Sequence, residues 1–89
     1  MNSYELTIII KPGSIDDVKN VVKNIFTKNS AEIESEEDWG TKKLAYAIED
    51  CLDGYYWFIN LKSDPLKIKD INAQFLLNSS IIRHMFIVK

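Results

Sequence analysis

The chain has 89 residues and a formal net charge of −2, from 11 Lys and Arg against 13 Asp and Glu. This length allows one domain with one hydrophobic core, and 46% apolar with 27% charged residues excludes a disordered chain. The sequence also argues against a membrane or secreted protein: no apolar run approaches the roughly 18 residues of a membrane span, the N-terminus shows no signal peptide, and a single cysteine fits the reducing cytoplasm.

The first third of the chain predicts a strand followed by a helix. Residues 3–11 are rich in β-branched side chains and partly alternate, as strands do. After a turn, Ser14 and Asp17 have the spacing of a capping box. Apolar side chains then recur at helical spacing from Ile15 to Phe26, and we expect the helix to end at Asn29–Ser30.

The middle of the chain predicts two strands. Residues 31–37 and 42–49 form one long strand or two collinear strands, interrupted at Trp39–Gly40, where a glycine in a strand pattern indicates a bulge or bend. Residues 50–54 are expected to form a loop, and residues 55–61 (YYWFINL) give the strongest strand pattern. An acidic run on the first of these strands predicts a solvated edge that discourages pairing with other chains.

A second helix and a last strand complete the pattern. Asp64 before Pro65 is typical of a helix start, and apolar side chains continue at helical spacing over residues 66–76, with residues 78–80 ending the helix. Residues 82–88 form the last strand. The order β-α-β-β-α-β predicts a ferredoxin-like α+β fold, with two helices on one face of a four-stranded antiparallel sheet. We expect residues 1–89 to form this single domain.

The sheet face that the helices leave uncovered is predicted to bind a partner. Since side chains alternate along a strand, we expect the helix-facing set to be Leu6, Ile8, Ile10, Trp57, Ile59, Leu61, Met85 and Ile87. The partner-binding face would then present Ile9, Tyr56, Phe58, His84, Phe86 and Val88. A freely solvated antiparallel sheet shows polar residues on its open face, so this apolar set indicates an interaction site. The alternatives are a register that is wrong by one residue, or a terminal segment that covers the face.

The sequence does not favour an enzyme, a metal site or a cofactor site. His84 and Cys51, the only histidine and cysteine, fall on different elements, so no base lies beside a nucleophile, and the pair is too small to hold a metal. The three glycines are isolated, which excludes a glycine-rich phosphate loop. Acylphosphatases share the topology, but the glycine-rich loop with an arginine after the first strand is missing.

Four separated stretches of the sequence, in the correct order, resemble the bacterial small-subunit ribosomal protein S6 family. Residues 37–48 (EDWGTKKLAYAI) match its signature, in which an acidic pair, Trp or Leu, and Gly lead into two basic residues and Leu-Ala-Tyr. Tyr4–Glu5 matches the family's opening, Gly54–Tyr56 its third strand and Ile82–Met85 its last. The sequence departs from the pattern at Ala47, where proline is usual, in the lysines that replace arginines, and after the last strand, where the family often carries a charged C-terminal tail.

The resemblance implies a structural, non-catalytic component of the small ribosomal subunit. Members of the family bind the central domain of the small-subunit rRNA together with ribosomal protein S18, with which they pair. Carried over to this sequence, the RNA-binding positions are Tyr4, Lys42, Lys43, Arg83 and Lys89. Lysine keeps the positive charge at positions 42 and 43 but loses the bidentate fork of arginine. Trp39 is either a packed anchor for the bulge or a partner contact.

The low net charge predicts that the chain alone binds RNA weakly, so that a basic partner supplies most of the phosphate contacts. The main alternative is a free-standing RNA-recognition module, which has the same topology and stacks bases on aromatic side chains of its central strands. Residues 53–59 only loosely resemble the third-strand motif of such modules, because the leading basic residue and the small residue between aromatics are missing. A small-molecule regulatory domain of the same fold is a third option.

Overall fold

The computed structural model has the predicted element order. It describes residues 2–13, 15–48 and 51–89, without the side chains of residues 45–48 and 51. The elements are β1 (Asn2–Ile10), α1 (Ile15–Lys28), β2 (Glu32–Ile48), β3 (Cys51–Ser63), α2 (Pro65–Leu76) and β4 (Ile81–Val88). The four strands form one antiparallel sheet in the order β2-β3-β1-β4. This arrangement confirms the predicted ferredoxin-like fold.

The β2–β3 hairpin is longer than the sequence predicted. Residues 50–54 were expected to form a loop, but β3 begins at Cys51, and Asp53 and Gly54 pair with Lys43 and Lys42 of β2. The loop prediction was therefore wrong for residues 51–54. Asp50 lies outside the described residues, as does Ser14, which was predicted to cap α1.

The hydrophobic core lies between one face of the sheet and the two helices. The strands contribute side chains that are almost fully buried, chief among them Leu6, Ile8, Trp57 and Ile59. Each helix contributes buried apolar side chains from one of its faces. The helical set is Val18, Val22, Ile25 and Phe26 of α1 with Ile71 and Phe75 of α2. Complete burial of such a side chain stabilises a fold by roughly 1.5–3 kcal/mol. We call the helix-covered side the inner face of the sheet and the opposite side the outer face.

The helix ends follow the predicted signals. The Asp64 carboxylate accepts a hydrogen bond from the Leu66 N–H at 2.9 Å, and Pro65 occupies the first turn, where a missing N–H costs nothing. At the end of α1, Ser30 adopts a left-handed conformation with φ 57°, and the buried Asn29 side chain donates to the Ile25 carbonyl at 2.8 Å. No helix among the described residues is long and apolar enough to cross a membrane.

Candidate interaction face of the sheet

The outer face carries rows of side chains that run across the strands, because directly paired residues project to the same side. The pairing of β1 with β3 and of β1 with β4 fixes the rows in the centre, and β2 extends them at one edge. In order along the sheet, the rows are Gly40, Tyr56, Ile9 and Arg83; then Glu37, Phe58, Thr7 and Met85; then Ser35, Asn60, Glu5 and Ile87. The predicted outward orientation is therefore correct for Ile9, Tyr56 and Phe58.

The predicted orientation of β4 was wrong. His84 pairs with Ile8 and Phe86 with Leu6, so both side chains lie on the inner face. His84 Nε2 lies 2.5 Å from the Asn72 Oδ1 acceptor on α2, and Phe86 stacks on Phe75 with ring centroids 6.0 Å apart.

Val88 projects to the same side as His84 and Phe86, so its predicted outward orientation was also wrong, but it lies at the exposed end of β4. Met85 and Ile87, which were expected to be buried, project from the outer face and are 54% and 47% exposed. The side chains on both sides of β4 are largely apolar, so the alternation of the sequence did not show which set faces the helices.

Tyr4, a predicted RNA contact, lies in the core. It is 5% exposed, and its ring packs edge-on against Phe86 at a centroid distance of 6.2 Å. This position argues against stacking of the Tyr4 ring on a base.

An acidic groove of about 270 Å³ crosses the middle of the outer face. Its floor and walls contain the Phe58 and Trp39 rings and the Ile87 side chain, and Glu5 and Glu37 stand on either side of them. Thr7 and Asn60 complete the outward lining, and the Asn60 amide donates to Ser35 Oγ at 3.0 Å. We define the acidic groove by Glu5, Glu37, Trp39, Phe58 and Ile87. The sequence pattern did not predict this groove.

Trp39 is held at a bulge in β2. The β2–β3 register shifts between Asp38 and Gly40, and Gly40 has φ +77°, a conformation that glycine adopts without strain. The Trp39 ring lies 4.5 Å from the Phe58 ring, between centroids, and Lys42 Nζ sits 4.7 Å from the Trp39 centroid. The predicted bulge is confirmed. Trp39 packs on Phe58 and still exposes about half of its surface.

The predicted RNA-binding cations do not form one cluster. Lys42 pairs with Gly54 and Arg83 with Ile9, so both project from the outer face near the same end of the sheet. We call this region the cationic end. Lys43 projects to the opposite side from Lys42, and Lys89 follows the far end of β4, where its N–H donates to the Ser3 carbonyl.

Ile9 is on the outer face but is only 8% exposed. Gly54 lies beside it in β3, and a Cβ placed on Gly54 would be 2.4 Å from Ile9 Cγ2, 3.4 Å from Leu44 and 3.8 Å from Ile82. Ile9 therefore packs against the bare backbone of Gly54 within a small apolar cluster. This cluster limits the contact that Ile9 can make with a partner.

Most of the acidic run on β2 is neutralised by lysines. Asp38 accepts hydrogen bonds from Lys19 Nζ and, at 2.7 Å, from the Tyr55 hydroxyl, and these bonds lower the pKa of Asp38 below 3.8. Lys23 pairs with Glu36 at 3.7 Å and Lys62 with Glu34 at 3.9 Å.

The two carboxylates of the acidic groove are not neutralised by lysines in this way. Neither Glu5 nor Glu37 has an ion-pair or hydrogen-bond partner among the residues that the structure describes. The acidic run is thus not uniformly a solvated edge, as the sequence suggested. Its members are either paired with lysines or, like Glu37, directed at the outer face.

Comparisons with known proteins agree with the fold and the motifs. The family model described as ribosomal protein S6 matches residues 3–88. The small ribosomal subunit protein bS6 of Clostridioides difficile is 36% identical over 91 residues, covering 99% of both chains, and that of Leptospira biflexa is 31% identical over 87 residues, covering 98% of this chain and 96% of its relative.

Two solved structures share the fold. The 30S ribosomal protein S6 from Thermotoga maritima superposes with a TM-score of 0.91 at 24% identity, covering 99% of this chain and 87% of that one. The C-terminal domain of the MgtC protein from Mycobacterium tuberculosis gives 0.71 at 13% identity, covering 100% and 88%.

The family match extends over nearly the whole chain and confirms the resemblance inferred from the four matching stretches. It also confirms the prediction of a structural protein without enzymatic activity, placed in the ribosome of the cytoplasm. The chain belongs to the ribosomal protein S6 family of the small ribosomal subunit.

Proposed function

We propose that this small-subunit protein binds the central domain of the small-subunit rRNA together with ribosomal protein S18, and that the outer face of its sheet is the interface. The observation that carries the proposal is the composition of this face. It presents Trp39, Phe58, Met85 and Ile87 between acidic and cationic side chains, without a helix to cover them. Exposed apolar side chains grouped on one uncovered face in this way are typical of an interaction site.

The cationic end is suited to phosphate contacts. Lys42 supplies a point charge and is positioned by the Trp39 ring beneath it, while Arg83 on the far edge of the same face can hold two phosphate oxygens at once. The cation–π contact with Trp39 limits the freedom of the Lys42 side chain, and breaking this contact would cost about 0.5–1 kcal/mol. Two lysine or arginine side chains give weak binding, which supports a requirement for a partner.

The middle of the face suits a protein partner. Glu5 and Glu37 would repel a phosphate backbone, whereas the aromatic and aliphatic side chains between them match the core of a protein interface. The same carboxylates argue against the alternative of a free-standing RNA-recognition module. In such a module Phe58 would have to stack a base, and here the Glu37 carboxylate beside it would repel the phosphates of that nucleotide.

A filter-binding titration with a central-domain rRNA fragment tests the proposal. The chain alone should bind weakly and the chain with S18 tightly. In the presence of S18, Lys42→Ala and Arg83→Ala should each reduce the slope of log K against log salt by roughly 0.7–0.9, the value for one lost phosphate contact. Lys69→Ala, on the exposed side of α2, is the matched control and should leave the slope unchanged. Nanomolar binding without S18, or equal slopes for all three variants, would contradict the proposal.

A further inference from the structure

We infer that the acidic groove receives an arginine side chain of the protein partner; the inference rests on the proposed function, because it specifies how the partner docks on the outer face. The acidic side chains on and near the outer face differ in whether they have a cationic partner. Three acidic residues of β2 have lysine partners within the chain, namely Glu34, Glu36 and Asp38. The groove carboxylates have none among the described residues, and they stand on opposite sides of an apolar floor.

The floor of the groove has a shape and chemistry that suit a planar cation. The Phe58 ring lies in the row of Glu37, and the adjacent row holds Glu5 and Ile87. A planar cation can therefore lie on an aromatic ring while its N–H groups reach carboxylates at its margins. Guanidinium is weakly hydrated, stacks on aromatic rings and forms paired hydrogen bonds with carboxylates, so the groove favours arginine over the more strongly hydrated ammonium of lysine.

The groove is already formed in the free chain. Trp39 contacts both the Phe58 ring and the Lys42 ammonium, and the Asn60–Ser35 hydrogen bond joins β3 to β2 nearby. Little ordering is needed when a partner side chain enters such a site, and this raises affinity. The positive charge of Lys42 occupies the Trp39 ring, so the open aromatic surface for an incoming cation is that of Phe58.

Calorimetric binding to S18 gives the first test. The double variant Glu5→Gln/Glu37→Gln keeps the shape of both side chains and should weaken binding by about tenfold or more, as expected when a buried charge pair is disrupted. The double variant Glu34→Gln/Glu36→Gln makes the same change in net charge outside the groove and should bind within about twofold of the unmodified chain, since exposed ion pairs contribute little. Equal affinity of the groove variant and the unmodified chain would overturn the inference while leaving the proposed partner intact.

A second measurement decides the inference even if S18 does not bind, an outcome that would refute the proposed partner. An acetylated tetra-arginine peptide is titrated into the ¹⁵N-labelled chain and followed by NMR at the Trp39 indole and at the Glu5 and Glu37 amides. Saturable shifts are expected at these signals, and they should be absent in the groove double variant. A tetra-citrulline peptide, with the same shape but no charge, should cause none. Failure of the arginine peptide to shift these signals, or equal shifts with citrulline, would overturn the inference.

Discussion

Substitution of Gly54 tests the packing that supports the outer face. An added Cβ would lie 2.4 Å from Ile9 Cγ2, more than 1 Å inside the usual carbon–carbon contact of about 3.5–4.0 Å. Ile9 is β-branched, so this methyl group is bonded to its Cβ and moves only if χ1 rotates or the strand shifts. Leu44 and Ile82 border the same space. Gly54→Ala should therefore lower the free energy of unfolding by about 1–3 kcal/mol, the usual cost of overpacking.

Urea denaturation of a double-mutant cycle measures this cost. In an Ile9→Ala background the conflicting methyl group is gone, and Gly54→Ala should cost less than about 0.5 kcal/mol, a coupling typical of residues in contact. Gly40→Ala is the control, because Gly40 has φ +77° and no atom within 4 Å of an added Cβ. Its cost of roughly 1–2 kcal/mol comes from backbone conformation and should be the same in both backgrounds. A neutral Gly54→Ala, or an equal cost with and without Ile9, would refute the reasoning.

Three further substitutions test other contacts by urea denaturation. Because Lys19 lowers the pKa of Asp38, this pair contributes a stabilisation that is complete above the ordinary pKa of 3.8 and is lost as the pH falls from there through the lower pKa of the folded chain. Lys19→Met should flatten this part of the pH profile, and an unchanged profile would contradict the pairing. Burial lowers the pKa of His84 below 6.5, so as the pH falls through 6.5 the unfolded chain gains a proton before the folded chain does, and stability should fall. His84→Gln should abolish this loss of stability, which would persist if another group were responsible. Asp64→Ala removes the cap of α2 and should cost about 1 kcal/mol, whereas no change would mean that the bond to Leu66 is not formed in solution.

The orientation of the central parts of β1 and β3 was predictable because, over residues 3–10 and 56–62, the strongly polar side chains project to one side only. Glu5 and Thr7 mark the outer side of β1, and Asn60 marks that of β3. Strand β4 gives no such signal: Met85 and Ile87 are as apolar as Phe86 and Val88, and its polar pair, Arg83 and His84, is divided between the two faces. Only the contacts of His84 and Phe86 with α2 settle the phase, and these require the three-dimensional packing.

The strand position of Gly54 and the acidic groove could not be predicted from the sequence, for a different reason. Gly54 matches a turn signal as well as it matches a strand position, and only its close approach to Ile9 distinguishes the two. The groove depends on the register of β2 against β3, which shifts at Ile33–Ser35 and again at Asp38–Gly40. Each shift changes the side to which the following residues project. The position of Glu37 beside Phe58 therefore could not be derived from the alternation of residues along the sequence. The bulge itself was predictable from Gly40.

The central claim is that the outer face, not the helical side, meets the partners in the subunit. Hydroxyl-radical footprinting with mass spectrometry tests it directly, by comparing the free chain with the chain in reconstituted small subunits. Trp39 and Met85 are 49% and 54% exposed in the free chain, and Leu66 and Leu77 on the α2 side are 82% and 86% exposed. We predict strong protection of Trp39 and Met85 in the subunit, with Leu66 and Leu77 still oxidised. Unchanged oxidation of Trp39 and Met85, together with protection of the α2 leucines, would contradict the account.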